Sequence, residues 1–240
     1  MVVVVVVVVG CCTILHPSSL SFLVFLVLKY PFLTTPAFSN SCDNPKVQRK
    51  SVANVIIHQG YNSSNKASKS DIALVRMKTK ALFNIFVQPV CLPLPEYNLK
   101  NIVYNPMQHS ASATVVGWGG SDQNSQGELS REDFLKHGLF TTKLQKGEVQ
   151  IHPKSKCGNI DSSQLCANND RTKTDSCHGD SGGGLFIHSD DYPGQSFGNV
   201  HVQVGVVSYG SRVCGDYPAV YTRVDHFIPW IKENIVKNQP

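Results

Sequence analysis

The residue best placed to do chemistry is Ser181, which lies in the run Thr174-Asp175-Ser176-Cys177-His178-Gly179-Asp180-Ser181-Gly182-Gly183-Gly184-Leu185. Four of the six residues from Gly179 to Gly184 are glycine. Glycine permits positive φ and close approach of backbone to a ligand, so the run suits N–H groups turned inward around the Ser181 hydroxyl. A serine in that setting could attack a carbonyl while the amides bind the oxyanion that forms. From the glycines alone, a glycine-rich turn closed by a disulfide at Cys177 fits equally well.

Two catalytic templates compete for this serine. Gly179-Asp180-Ser181-Gly182-Gly183 spells the G-x-S-x-G elbow of α/β-hydrolases, which needs a buried apolar strand immediately before it. Residues 168–175 read NNDRTKTD, which cannot be such a strand.

The Asp-Ser-Cys-x-Gly-Asp-Ser-Gly-Gly string that starts at Asp175 resembles the active-site segment of chymotrypsin-like serine proteases, in the trypsin-like branch. Ser70-Asp71-Ile72-Ala73-Leu74-Val75 resembles the triad-aspartate segment, and the order Asp before Ser is the chymotrypsin order. The resemblance continues from about Val52 to Ile235 through Val55-Ile56-Ile57-His58, Gln88-Pro89-Val90-Cys91-Leu92-Pro93, Val115-Val116-Gly117-Trp118-Gly119, Gly205-Val206-Val207-Ser208-Tyr209-Gly210 and Tyr221-Thr222-Arg223-Val224. Cys42 and Pro218-Ala219-Val220-Tyr221-Thr222-Arg223-Val224 further resemble the clip-domain subgroup of arthropod cascade proteases, although no clip domain is present.

The resemblance implies an all-β fold, a chymotrypsin-like double antiparallel β-barrel with a C-terminal helix. It implies Ser181 as nucleophile, Asp71 as the aspartate that orients a histidine, and the N–H groups of Gly179 and Ser181 as oxyanion hole. Ser208 matches the residue that supports the aspartate and lines the substrate edge. Asp175, six residues before the serine, matches the carboxylate at the base of a primary pocket that selects Arg or Lys, with Gly210 and Ala219 as its walls. Gly is usual at the second wall, and the Ala219 methyl is expected to narrow the pocket. The implied disulfides are Cys177–Cys214 and Cys157–Cys166, with the partners of Cys11, Cys12, Cys42 and Cys91 open. Gly184 stands where the family usually has Pro, with only a local backbone effect expected.

One catalytic role is unfilled. The family's histidine lies upstream of the aspartate in an Ala-Ala-His-Cys context, yet His16 and His58 are the histidines before Asp71 and neither has that context. His58 instead matches a surface, structural histidine. There is also no Arg followed by Ile-Val-Gly-Gly, the activation site whose new N-terminus would pair with Asp180. The first barrel therefore reads as truncated: 1–41 as leader, 42–104 as partial first barrel, 105–224 as second barrel and 225–237 as helix. A chain so written is expected to lack peptidase activity. A trypsin-like endopeptidase whose sequence here is incomplete, a non-catalytic protease homologue that binds or regulates, and an unrelated hydrolase or structural domain are the three functions weighed. The joint presence of Asp71, Asp175 and Ser181 favours the first, since a module that only binds has no chemical need of all three.

Composition agrees with one β-rich domain. The 240 residues carry a net charge of +5 with basic residues scattered rather than clustered, which argues against nucleic-acid binding. Eight cysteines without a C-x-x-C pair argue against a zinc module and for an oxidising, secreted setting. No metal or cofactor is called for; the implied partner is a protein substrate.

The elements that must position these residues read in order along the chain. The first 28 residues carry no charge, and Val2 to Val9 is a homopolymer. A secretory signal with core Phe22 to Leu28 and cut near Thr35-Pro36-Ala37, a membrane span weakened by Gly10, His16 and Pro17, and translated non-coding repeat are the readings of this leader. Val52 to His58 is strand-like and Asn62-Ser63-Ser64 is a glycosylation sequon. Short apolar runs alternate with turns from Ile72 to Trp118, as an antiparallel barrel requires, and Gly119 to Lys136 is a long polar loop. Val202 to Ser208 and Ala219 to Val224 are strand-like. A closing helix is expected with Asp225 as cap, Pro229 in the first turn, and Phe227, Ile228, Ile231 and Ile235 on one apolar face.

Overall fold

The computed structural model describes residues 51–62, 64, 69–83, 90–94, 111–120, 144–188, 201–211 and 213–237, together with the backbone of the strands Val5–Val9 and Phe22–Leu26. The leader's Cys11, Cys12 and Thr35-Pro36-Ala37, and also Cys42, Ser63 of the sequon, and residues 121–136 of the polar loop, lie outside the described residues.

Six strands close into an antiparallel barrel: β5 (Ala111–Gly117), β6 (Gln145–Ile151), β7 (Gln164–Asn168), β8 (Gly184–His188), β9 (His201–Tyr209) and β10 (Ala219–Arg223). Their order is β10-β7-β6-β5-β8-β9, with β9 pairing back to β10. Alternation along the strands fills the interior. Ala113 and Val115, Val149 and Ile151, and Leu185 and Ile187 face inward with Val204 and Tyr221, while the intervening positions of β5 are less buried.

The other half of the molecule holds β1 (Val5–Val9), β2 (Phe22–Leu26), β3 (Val52–Ile57) and β4 (Ala73–Met77), in one sheet of order β2-β1-β4-β3. The valine tract and the apolar run expected as a leader core thus pair as antiparallel strands, and Val5 bridges to Leu74 in parallel. Valine's branched Cβ suits this extended backbone. Among the described residues this half forms a sheet and the barrel described above is the closed one.

A second core lies between β4, β9 and the chain's end. Ile72, Leu74 and Val206 pack with Val224, Phe227, Ile228, Trp230 and Ile231, with Ile235 at its margin. The apolar face expected of the closing helix is the face that is buried. Asp225 does not cap it. Residues Val224–Phe227 form a 3-10 turn ahead of α1 (Ile228–Lys237), and the Asp225 carboxylate accepts from Arg223 Nε and a terminal guanidinium nitrogen at 2.8 Å each. A bidentate guanidinium offers that carboxylate more than one backbone N–H could.

Candidate active site

The turn that carries Ser181 is built by backbone. β7 ends at Asn168, and a polar turn follows in which Asn169 and Thr174 bridge and Lys173 takes φ +57°. A turn, not a buried strand, therefore leads towards Ser181, as the hydrolase elbow would not allow. Gly179 at φ +100° and Gly182 at φ +87° flank the Asp180-Ser181 pair in conformations that favour glycine. Asp180 N–H donates to Cys177 O, Gly182 N–H to Val207 O and Gly183 N–H to Asp180 O. Among the described residues, the N–H groups of Gly179 and Ser181 donate to no protein acceptor.

Strand β9 joins this turn to the aspartate. Val207 N–H donates to Gly183 O and Val207 O accepts from Gly182, while the next residue, Ser208, donates its hydroxyl to Asp71 Oδ2 at 2.7 Å. Asp71 is 5% exposed. Its carbonyl accepts the Thr222 hydroxyl at 2.8 Å, so β10 also holds the segment in place. The sequence reading missed Thr222, which lies next to inward-facing Tyr221 on the other face of β10 and is buried all the same.

Asp180 itself is half-buried beneath the turn. Its carboxylate accepts N–H groups from Gly119 at 2.8 Å and Cys177 at 2.9 Å. Burial pushes its pKa up, against those two hydrogen bonds.

Asp175 lies below the turn beside Ser176, whose N–H it accepts at 2.7 Å, with the backbone N–H groups of Gly215 and Ala219 near enough to favour its charged form. Burial pushes its pKa up to about 7, with Asp180 adding to the effect. Ser176 takes the hydroxyl of fully buried Tyr221 at 3.0 Å. Gly210 and Ala219 face each other: a Cβ on Gly210 would stand 3.5 Å from the Ala219 methyl. The disulfides Cys177–Cys214 and Cys157–Cys166 are both present, and Cys91 is also disulfide-bonded.

His58 is committed elsewhere. Its Nδ1 accepts the Gly60 N–H at 3.0 Å, and its ring packs on Phe227 and Trp230 at centroid distances of 5.1 and 4.9 Å. A triad histidine needs Nδ1 as donor to the aspartate, which that acceptor role excludes. Among the described residues no histidine hydrogen-bonds to the Ser181 hydroxyl, and no three His, Cys, Asp or Glu side chains converge on a metal position.

Gly184 departs from expectation in its cause. A Cβ there would fall 2.2 Å from the tip of the Phe186 ring, so the small residue makes room for an aromatic neighbour two positions on.

A family model described as Trypsin matches residues 37–231. The chain belongs to the trypsin family. It is 35% identical over 207 residues to the CLIP domain-containing serine protease HP8 of Bombyx mori, covering 82% of this chain and 49% of that protein. It is 33% identical over 196 residues to phenoloxidase-activating factor 3 of Holotrichia diomphalia, covering 80% and 49%. The chain thus spans about half the length of these relatives. Among solved structures, neuropsin, a serine protease expressed in the limbic system of mouse brain, matches with a TM-score of 0.58 at 29% identity over 78% of this chain and 72% of that one. In this trypsin-family fold Asp71 stands just before β4, Asp175 and Ser181 lie between β7 and β8, and β9 and β10 link the two segments. Among the described residues no helix is long and apolar enough to cross a membrane.

Proposed function

We propose that the chain carries the nucleophile and specificity pocket of a trypsin-like serine endopeptidase that cleaves after Arg or Lys. Ser181 is the nucleophile, the N–H groups of Gly179 and Ser181 form the oxyanion hole, and Asp71, supported by Ser208, is the triad aspartate. Asp175 receives the cationic side chain between Gly210 and Ala219. The observation that carries the reading is the half-buried Asp175 carboxylate, whose pKa burial pushes up and which accepts the Ser176 N–H with no side-chain cation from the described residues against it. A buried carboxylate without a cation is costly, and a guanidinium or ammonium would relieve that cost. The Ala219 methyl narrows the pocket without altering its charge preference. Two disulfides in a small β fold suit an extracellular protein acting on protein substrates.

A histidine for Ser181 must come from residues other than His58, because His58 is held by Gly60, Phe227 and Trp230. That same observation favours the second reading, a protease homologue that binds without cleaving. Benzamidine, an amidinium that needs only the pocket, tests the first claim. It should bind the chain in titration calorimetry and lose at least tenfold in affinity in Asp175→Asn; equal affinity for a neutral aromatic analogue would refute the pocket assignment. A serine-directed phosphonate probe separates the two readings. The chain alone should leave Ser181 unlabelled, and labelling would mean that a base is already in place.

A further inference from the structure

The strands that carry the Ser181 turn hold a second pair of chemically capable side chains at their other end. β8 and β9 run antiparallel, with Gly184 opposite Val206 beside the turn and His188 opposite His201 at the far end. Leu185 and Ile187 fill the core, so His188, one position on, turns to the outer face. His201 is exposed. The two imidazoles stand 4.9 Å apart between centroids, with their planes at 77°.

We propose that His188 and His201 form a two-imidazole site for a divalent transition-metal ion of the zinc, nickel or copper class. Two imidazole nitrogens bound at ~2.1 Å in a tetrahedral arrangement place their ring centroids about 5 Å apart. The pair already stands at that spacing, fixed by the ladder rather than by flexible chain, so little ordering accompanies binding. Neutral imidazole is the ligating form. Lys146, close enough to His201 to act on its charge, is the cation that opposes the metal, and its ammonium is partly satisfied by Glu148 at 3.5 Å. Two imidazoles leave coordination positions for water, so the ion is exchangeable. Once bound it ties β8 to β9 and stabilises the barrel in proportion to its occupancy.

Zinc titration of the full, oxidised chain at pH 7.5 tests the site. Saturable binding is expected, weakened at least tenfold in His188→Gln and in His201→Gln and unchanged in His226→Gln. Substoichiometric Cu(II) should broaden the ring signals of His188 and His201 before those of His178 and His226, which reads the wild-type protein directly. No saturable binding overturns the proposal. So does zinc uptake that survives unchanged in both variants, which would place the metal on other ligands.

Discussion

Gly119 donates its N–H to Asp180 Oδ1 at 2.8 Å across 61 positions of sequence, and a Cβ on Gly119 would lie 2.5 Å from that carboxylate. Gly117 is tighter still, at 1.9 Å from the same oxygen. The Gly-Trp-Gly segment at the end of β5 is therefore a recess for the acid next to Ser181. Both glycines are needed for space rather than for φ.

Gly117→Ala should displace Asp180 and with it the turn that carries Ser181. Overpacking of this kind costs about 1–3 kcal/mol. A chain with an unaltered urea midpoint and unaltered benzamidine affinity would show that the recess is not as tight as described.

Removing the Cys177–Cys214 bridge, which spans 37 positions, by a double Cys→Ala change should destabilise the chain by about 4 kcal/mol in the loop-entropy account. Opening Cys157–Cys166, which spans 9, should cost about 3 kcal/mol. Urea unfolding of the two double variants checks the order: the longer loop should lose more, and the reverse ranking would point to strain or residual structure.

Asp175 gives the protein a pH signature. Its pKa is raised from 3.8 to about 7, so between those values the folded chain holds a proton that the unfolded chain has released. Stability from this group therefore falls as pH rises through that window. Asp180, also raised, contributes in the same direction. Urea unfolding from pH 4.5 to 7.5 should show a shallower decline in Asp175→Asn than in the parent, and parallel curves would contradict the assignment. For a cationic ligand the sign inverts: benzamidine affinity should rise by up to about tenfold per pH unit below 7 and level off above it, because the pocket acid must ionise.

At the start of β8, Gly184→Ala should cost about 1–3 kcal/mol, because its methyl meets the Phe186 ring at 2.2 Å. Phe186→Leu removes the ring tip and should recover most of that loss. A double-mutant cycle with no coupling between 184 and 186 would mean that the backbone, not the ring, demands glycine.

The glycine run around Ser181 was legible in the sequence because it is a local pattern, while the order Asp71 before Ser181 and the pairs Cys177–Cys214 and Cys157–Cys166 came from the resemblance. φ at Gly179 and Gly182 follows from residue type, and the strand-like runs Val202 to Ser208 and Ala219 to Val224 lie on β9 and β10. Pairings over long separations were not legible from composition or periodicity. That Asp71 meets Ser208 across 137 positions and Thr222 across 151 follows from β9 and β10 lying side by side, and only the resemblance had pointed to Ser208. Asp225 as a cap was inferred from its place near the helix start, but the fold brought a bidentate Arg223 within reach and the 3-10 turn shifted α1 forward. His58 read as a structural histidine from the resemblance, and only the fold supplied the partners that hold it, Phe227, Trp230 and the Gly60 N–H. Local sequence set the backbone each segment prefers, whereas which polar atoms face one another depended on how strands distant in the chain came into register, since a hydrogen bond is decided by tenths of an ångström.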